Sequence, residues 1–374
     1  MSIKVMSVFG TRPDAVKMAP VVLELQRYPK QVETVVAVTG QHREMLHQVL
    51  DVFKIQPKYD LDIMRSTQTL TEITLRALEG LEEVMRQERP DVVLAQGDTT
   101  STFVASLAAF YNKIAFGHVE AGLRTDNKYD PFPEEMNRRL TTVLADLHFA
   151  PTMAAKKNLL AEGIPESKTY VTGNTVIDAL LSMAEQPWHF DDPTLANAGA
   201  NGEKVVLVTA HRRENWGEPM ARICDAVKSI VDTYPDTMVI FAVHKNPIVR
   251  DTVFSTLKNV DRVHLIEPPD YIPFVHLLKK AFLVLTDSGG IQEEAPALGK
   301  PVLVMRKTTE RPEGVESGTA KLIGTETADI FNAASELLTQ RETYNNMARA
   351  INPYGDGHAS SRIREALFSY FGIE

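Results

Sequence analysis

Three carboxylates stand where short apolar runs give way to turns: Asp98 in "LAQGDTTST" (94–102), Glu120 in "GHVEAGLRT" (117–125) and Glu134 in "DPFPEEMNRR" (130–139). Each has an ordinary reading. Asp98 precedes Thr99 and Thr100 and suits a helix N-cap. Glu134 and its neighbour Glu135 follow two prolines at a helix start, where the helix dipole favours acids. Acids at successive strand ends or helix starts of one sheet, however, gather at one rim, which is what general acid–base chemistry needs. "VTAHRRENWG" (208–217) is the matching feature of the second half. His211 opens that half beside Arg212 and Arg213, a setting that favours contact with a substrate over a structural role.

Two further segments offer anion chemistry. In "VFGTRPDAVKMAP" (8–20) Gly10 permits a tight turn, Thr11 can cap, Pro13 suits a first helical turn, and Arg12 and Lys17 bring cations to a helix N-terminus. In "LTDSGGIQEEAPALG" (285–299) an apolar run ends at Thr286-Asp287, passes Ser288-Gly289-Gly290 and becomes a helix carrying Glu293 and Glu294. That is either a tight turn followed by dipole-favoured acids, or backbone N–H groups receiving an anion while a carboxylate receives hydroxyls. Neither segment is a GxxxxGK[ST] phosphate loop or a GxGxxG fingerprint. "DLD" at Asp60–Asp62 resembles a metal–nucleotide motif of some glycosyltransferases, but it precedes a loop instead of ending a buried strand. No His/Asp spacing makes a metal-ligand set, so neither a metal nor another cofactor is expected.

The elements that must position these residues follow from the hydropathy pattern. The chain of 374 residues, 44% hydrophobic and 24% charged, reads as a globular protein of two ordinary domains. A formal net charge of −9 without a Lys/Arg block argues against nucleic acid as a partner. No apolar run approaches the ~18 residues of a membrane span. The single cysteine, Cys224, lies in a helical pattern with Ile223, Ala226, Val227 and Ile230 and reads as a core residue, which fits a cytoplasmic location. Strand-like runs at Ile3–Phe9, Thr34–Thr39, Asp91–Ala95, Ile114–Val119 and Leu147–Ala150 alternate with helical patterns such as Leu70, Ile73, Ala77, Leu81 and Val84. A polar Pro/Gly/Asn-rich stretch at 185–204 reads as a linker. The alternation then restarts with Val205–Thr209, Met238–Val243, Val263–Ile266, Phe282–Thr286 and Pro301–Met305. Two doubly wound α/β domains facing a central cleft are expected, with ligands beyond the carboxyl ends of the strands. The boundaries expected are 1–175 and 176–355, with 356–374 a C-terminal helix packing back on the first domain.

"GTRPDAVKMAP", "QGDTTST", "HVEAGLRT", "PFPEEMNRR", "TAHRREN", "TDSGGIQEEA", "GKPVLVMR", "TERPE" and "NPYGDG" occur in that order over nearly the whole chain. Together they resemble the bacterial non-hydrolysing UDP-N-acetylglucosamine 2-epimerases. The resemblance implies the GT-B fold, a homodimer, no metal or redox cofactor, and interconversion of UDP-N-acetylglucosamine and UDP-N-acetylmannosamine. It implies elimination of UDP to a 2-acetamidoglucal followed by re-addition, with Asp98, Glu120 and Glu134 handling protons and His211 stabilising the leaving diphosphate. Ser288, Gly289 and Gly290 would give backbone N–H groups to the diphosphate, and Arg12, Lys17 and Arg311 would neutralise it. Glu294 would accept from the ribose, and Phe274 would line the uracil pocket. Gln41, His42 and Arg43 in "TGQHREM" would hold a second substrate molecule that activates the enzyme. Two positions depart from the family pattern: Asp14 stands where Glu is frequent, and Pro269 where Gln is frequent. A GT-B glycosyltransferase, a hydrolysing epimerase and a non-catalytic nucleotide-sugar sensor are the competing readings. No acceptor patch favours the first, and the intact acids and His211 disfavour the last.

Overall fold

The computed structural model describes residues 2–40, 43–65 and 67–373, with the side chains of all of these but 43–45. The chain divides into two compact units, Met1–Ala179 with Tyr354–Glu374 (unit 1) and Leu180–Pro353 (unit 2). Unit 1 holds β1 (Ile3–Phe9), β2 (Val32–Val38), β3 (Tyr59–Asp60), β4 (Val92–Gln96), β5 (Ala115–Val119), β6 (Leu147–Ala150) and β7 (Thr169–Val171). They form one seven-stranded sheet, in the order β3-β2-β1-β4-β5-β6-β7, with every pairing parallel. Unit 2 holds β8 (Lys204–Ala210), β9 (Thr237–Val243), β10 (Val263–Ile266), β11 (Leu283–Thr286), β12 (Val302–Val304) and β13 (Ala320–Leu322). These form a six-stranded parallel sheet in the order β10-β9-β8-β11-β12-β13. Two doubly wound parallel-sheet units of this kind are the GT-B class.

The strand order fixes where chemistry can collect. In unit 1 the winding reverses between β1 and β4, and in unit 2 between β8 and β11. Loops leaving those pairs diverge to opposite faces and open a crevice at the strand C-termini. The central strands are buried on both faces and read as continuous apolar runs: Val92, Val93, Leu94 and Ala95 are inaccessible, as are Val206, Leu207 and Val208. Two helices that begin at the unit 1 reversal are started by local side chains. Thr11 and Asp14 form a reciprocal capping box on the Arg12–Gln26 helix, and Thr99 caps the Thr100–Tyr111 helix. Near its end the chain rejoins unit 1. Arg364, on the Ala359–Phe371 helix, bonds Glu24 at 2.9 Å and lies 4.4 Å from the centroid of the Tyr28 ring.

Two expectations are corrected. β3, β7 and β13 do not stand out in the hydropathy pattern. Each is an edge strand of two or three residues, too short for a period to show. The stretch 185–204 is not the junction between units. The division falls at 179/180, inside the Thr175–Glu185 helix, and the polar stretch after it belongs to unit 2. There Asp192 caps a short helix, Phe190 is buried, and Lys280 Nζ donates to Ala196 O at 2.9 Å. Composition alone marks polarity and turn content, and these residues satisfy both with tertiary partners.

Candidate active site

The rim of unit 1 is built around two acids from neighbouring strands. Glu120 follows β5 with φ of 62°, a left-handed conformation that non-glycine residues seldom adopt, and its side chain is 6% exposed. Lys17 Nζ lies 2.6 and 2.8 Å from its two oxygens, Asn174 Nδ2 donates to it at 2.9 Å, and Gln96 Nε2 donates to Oε2. Donors from three different elements therefore hold one buried carboxylate. Asp98 follows β4 and is more open, its side chain 28% exposed. Arg138 donates to its Oδ2 through Nε at 2.9 Å and Nη2 at 2.5 Å, and Asn137 Nδ2 donates to its carbonyl at 2.9 Å. Both partners lie on the Glu134–Leu144 helix, so the first turn of that helix, with Glu134 at its first position, is brought to Asp98. Glu135 beside it is wholly buried and paired with Arg138 and Arg139. It is part of the scaffold.

Behind the acids lie two buried histidines paired in register, His118 on β5 and His148 on β6. Burial pushes His118 down to about 4, against the raising effect of its bond to Gly97 O, and pushes His148 down to about 3. Both imidazoles are neutral at physiological pH and belong to the support of the rim.

The rim of unit 2 has the opposite character. Asp287, inaccessible at the end of β11, accepts from His211 N at 2.9 Å, Arg212 N at 2.9 Å and Asn215 Nδ2 at 2.9 Å. It thereby folds the loop after β8 against the start of the Gly289–Ala297 helix. His211 Nδ1 is 3.2 Å from Asp287 and its ring stacks on His244. Burial holds His211 below the usual histidine range, with Asp287 pulling the other way. Arg212 Nη2 stands 3.8 Å from where a β-carbon on Gly289 would lie, which sets a guanidinium at the helix start. Its Nη1 is 3.6 Å from Glu310, which also binds Arg306 at 2.5 Å. Gly290 lies against Glu294: a β-carbon there would meet Oε1 at 3.4 Å. Burial, with the Glu294 charge second, holds the Tyr271 phenol well above its usual range. Phe274 lies one turn further along the same Tyr271–Lys280 helix.

A first-turn helix amide has no intrahelical partner and is available to an anion. Gly289 and Gly290 meet this condition. The Ser288 amide, expected to serve the same anion, here donates to Thr286 Oγ1 at 3.0 Å. Two of the cations assigned to phosphate also have carboxylate partners: Lys17 pairs with Glu120, and Arg311 with Glu293. Arg12 is exposed at the start of its helix. Gln41 and His42 lie outside the described residues, as does the side chain of Arg43.

A family model for UDP-N-acetylglucosamine 2-epimerase matches residues 24–368. The chain belongs to the UDP-N-acetylglucosamine 2-epimerase family. Its activity is the family's, an isomerase acting on UDP-N-acetylglucosamine. The Bacillus subtilis (strain 168) UDP-N-acetylglucosamine 2-epimerase is 55% identical over 370 residues, 99% of this chain and 96% of that protein. A Neisseria meningitidis UDP-GlcNAc 2-epimerase structure bound to UDP-GlcNAc superposes with a TM-score of 0.84 at 51% identity, covering 98% of this chain and 100% of that one. A Staphylococcus aureus MnaA–UDP structure superposes with a TM-score of 0.86 at 48% identity, covering 100% and 98%. Among the described residues of the enzyme, no helix is long and apolar enough to cross a membrane.

Sequence reasoning missed Arg138, Gln96, Asn174 and Asp287. Arg138 and Asp287 lie inside quoted motifs, and their charge was the available signal. Gln96, also inside a quoted motif, and Asn174 carry no charge, and only the folded chain brings them to Glu120.

Proposed function

We propose that the enzyme interconverts UDP-N-acetylglucosamine and UDP-N-acetylmannosamine by elimination and re-addition. The C2 proton passes to a carboxylate, its electron pair forms the C1–C2 double bond, and the C1–O bond breaks to release UDP and a 2-acetamidoglucal. UDP then re-adds at C1 while a proton is delivered to the other face of C2. The observation that carries this reading is the pairing of Glu120 and Asp98 at adjacent strand ends of one rim, each held by cationic donors. Two faces require two proton-handling groups. Asp98, Glu120 and Glu134 are those proposed, with His211 stabilising charge on the departing diphosphate. The backbone N–H groups of Ser288, Gly289 and Gly290, with Arg12, Arg311 and Lys17, serve the diphosphate, Glu294 the ribose hydroxyls and Phe274 the uracil. The reading includes a cytoplasmic homodimer that supplies N-acetylmannosamine units for surface polysaccharide, and a second substrate molecule at Gln41, His42 and Arg43.

The test is incubation with UDP-N-acetylglucosamine alone in D₂O, followed by NMR of the products. UDP-N-acetylmannosamine bearing deuterium at C2 is the expected result. Product that keeps protium at C2 after full conversion overturns the mechanism, and free N-acetylmannosamine would instead mark a hydrolysing enzyme.

A further inference from the structure

Two helices of unit 1 begin at the strand pair where its winding reverses, and one carboxylate serves both starts. Asp14 Oδ2 accepts from Gly10 N at 3.4 Å and Thr11 N at 3.2 Å in its own turn, and from Thr99 Oγ1 at 3.3 Å across the reversal. The first two contacts complete an ordinary capping box. The third does not belong to it. Thr99 is the residue after Asp98, and its hydroxyl also caps the following helix by accepting from Thr102 N at 3.3 Å. Thr102 Oγ1 in turn donates to Gln96 O at 2.6 Å, which closes the turn that carries Asp98. On its other side that turn is held by Asn137 and Arg138.

We propose that Asp14 is a positioning residue for Asp98: by holding Thr99 it sets where the Asp98 carboxylate stands, and its negative charge is part of that hold. The inference rests on the proton-transfer role proposed for Asp98. An acid that only started its own helix would have no need to bond the neighbouring turn. Asp14 is 4% exposed, and a buried carboxylate at this depth is costly unless donors converge on it. Charge-assisted hydrogen bonds are roughly twice as strong as neutral ones, so loss of the charge loosens the clamp. Burial raises Asp14 to about 6, and Asp98, facing it from the turn after β4, pushes the same way. Arg12 and Lys17 belong to the same helix as Asp14, and Lys17 is engaged by Glu120. The hold is therefore charged at neutral pH and loosened in mildly acid solution.

The test compares kcat and KM of wild type, D14N, D14E and D14A between pH 5 and 8.5, with circular-dichroism melts to show that each is folded. D14N keeps an acceptor oxygen but cannot ionise. It should lower kcat about tenfold at pH 7.5 with KM within about twofold, and should lose the part of the wild-type acid limb that falls near pH 6. D14E keeps the charge and should restore both kcat and the acid limb. D14A removes the clamp and should cost on the order of 10²-fold in kcat. If D14A does not fold, the nearly isosteric D14N still decides. A D14N enzyme with wild-type kcat and an unchanged acid limb overturns the proposal. Wild-type protein that fails to epimerise the substrate would instead count against the proposed function.

Discussion

In unit 1 the buried acid at the switch point is Asp14, whose three donors come from its own turn and from Thr99. In unit 2 it is Asp287, whose donors are the backbone of His211 and Arg212 and the amide of Asn215. Both acids tie together the two loops that diverge from a reversed strand pair. The residues displayed beyond them differ in sign. Unit 1 displays Asp98 and Glu120, each held by a cation from another element. Unit 2 displays first-turn amides, Arg212 and His211. Under the proposed mechanism, one architecture would serve proton transfer at one rim and anion binding at the other. The lesson is that the winding supplies the crevice and the side chains after the strands choose the chemistry.

The contrast can be broken experimentally, most severely in unit 1. Asp98→Asn, Glu120→Gln and Glu134→Gln should each lower turnover at saturating substrate by at least ~10²-fold while the melting transition survives. Near-normal turnover in any of them removes that residue from the acid set.

A second difference concerns acid stability. His118 and His148 support only the unit 1 rim, and both are held below the ordinary 6.5 in the folded state. A depressed histidine contributes stability that is present above its unfolded value and lost as pH falls from 6.5 toward the folded values of about 4 and about 3. For His118 alone this is on the order of 3 kcal/mol once pH reaches its folded value. Asp14 acts in the opposite sense, because its value is raised from 3.8 to about 6 and its protonation favours the folded state over that interval. The two histidines outweigh Asp14 and Asp178, which burial also raises, so urea midpoints should fall between pH 6.5 and 4. His118→Gln and His148→Gln should flatten that fall, and a profile that stays as steep in both sinks the assignment.

In unit 2 a single binding group should behave differently from a unit 1 acid. Glu294→Gln should raise KM by the equivalent of about 1.5–3 kcal/mol, one charged hydrogen bond, with kcat little changed. A large loss of kcat at saturation would place Glu294 with the catalytic acids and erase the distinction between the rims.

The smallest expected effect is regulatory. With UDP-N-acetylmannosamine as sole substrate, the rate should begin low and rise when a trace of UDP-N-acetylglucosamine is added. Hyperbolic kinetics indifferent to that trace would rule out a second substrate molecule at Gln41, His42 and Arg43.

The local pattern alone determined most of the strands, the helix starts and the roster of candidate acids. Buried parallel strands are continuous apolar runs, and caps are spelled by residues three apart, so β1 and β6 are legible to the residue. The "SGG" turn marks a helix start for the same reason, since turn chemistry is local, and the helix begins within it at Gly289. Tertiary structure decided the rest. Edge strands such as β3 and β13 exist because a neighbour offers its hydrogen-bonding edge, which two or three residues do not signal. Lys17 reads as a free cation in sequence, yet it neutralises Glu120, 103 residues away. The amide of Ser288 is taken by Thr286, and Thr99 bonds Asp14 across the reversal of the winding. The physical reason is common to all of these. A charge or hydrogen-bonding group is specified locally by residue type, but its partner is set by which strand ends the fold places side by side.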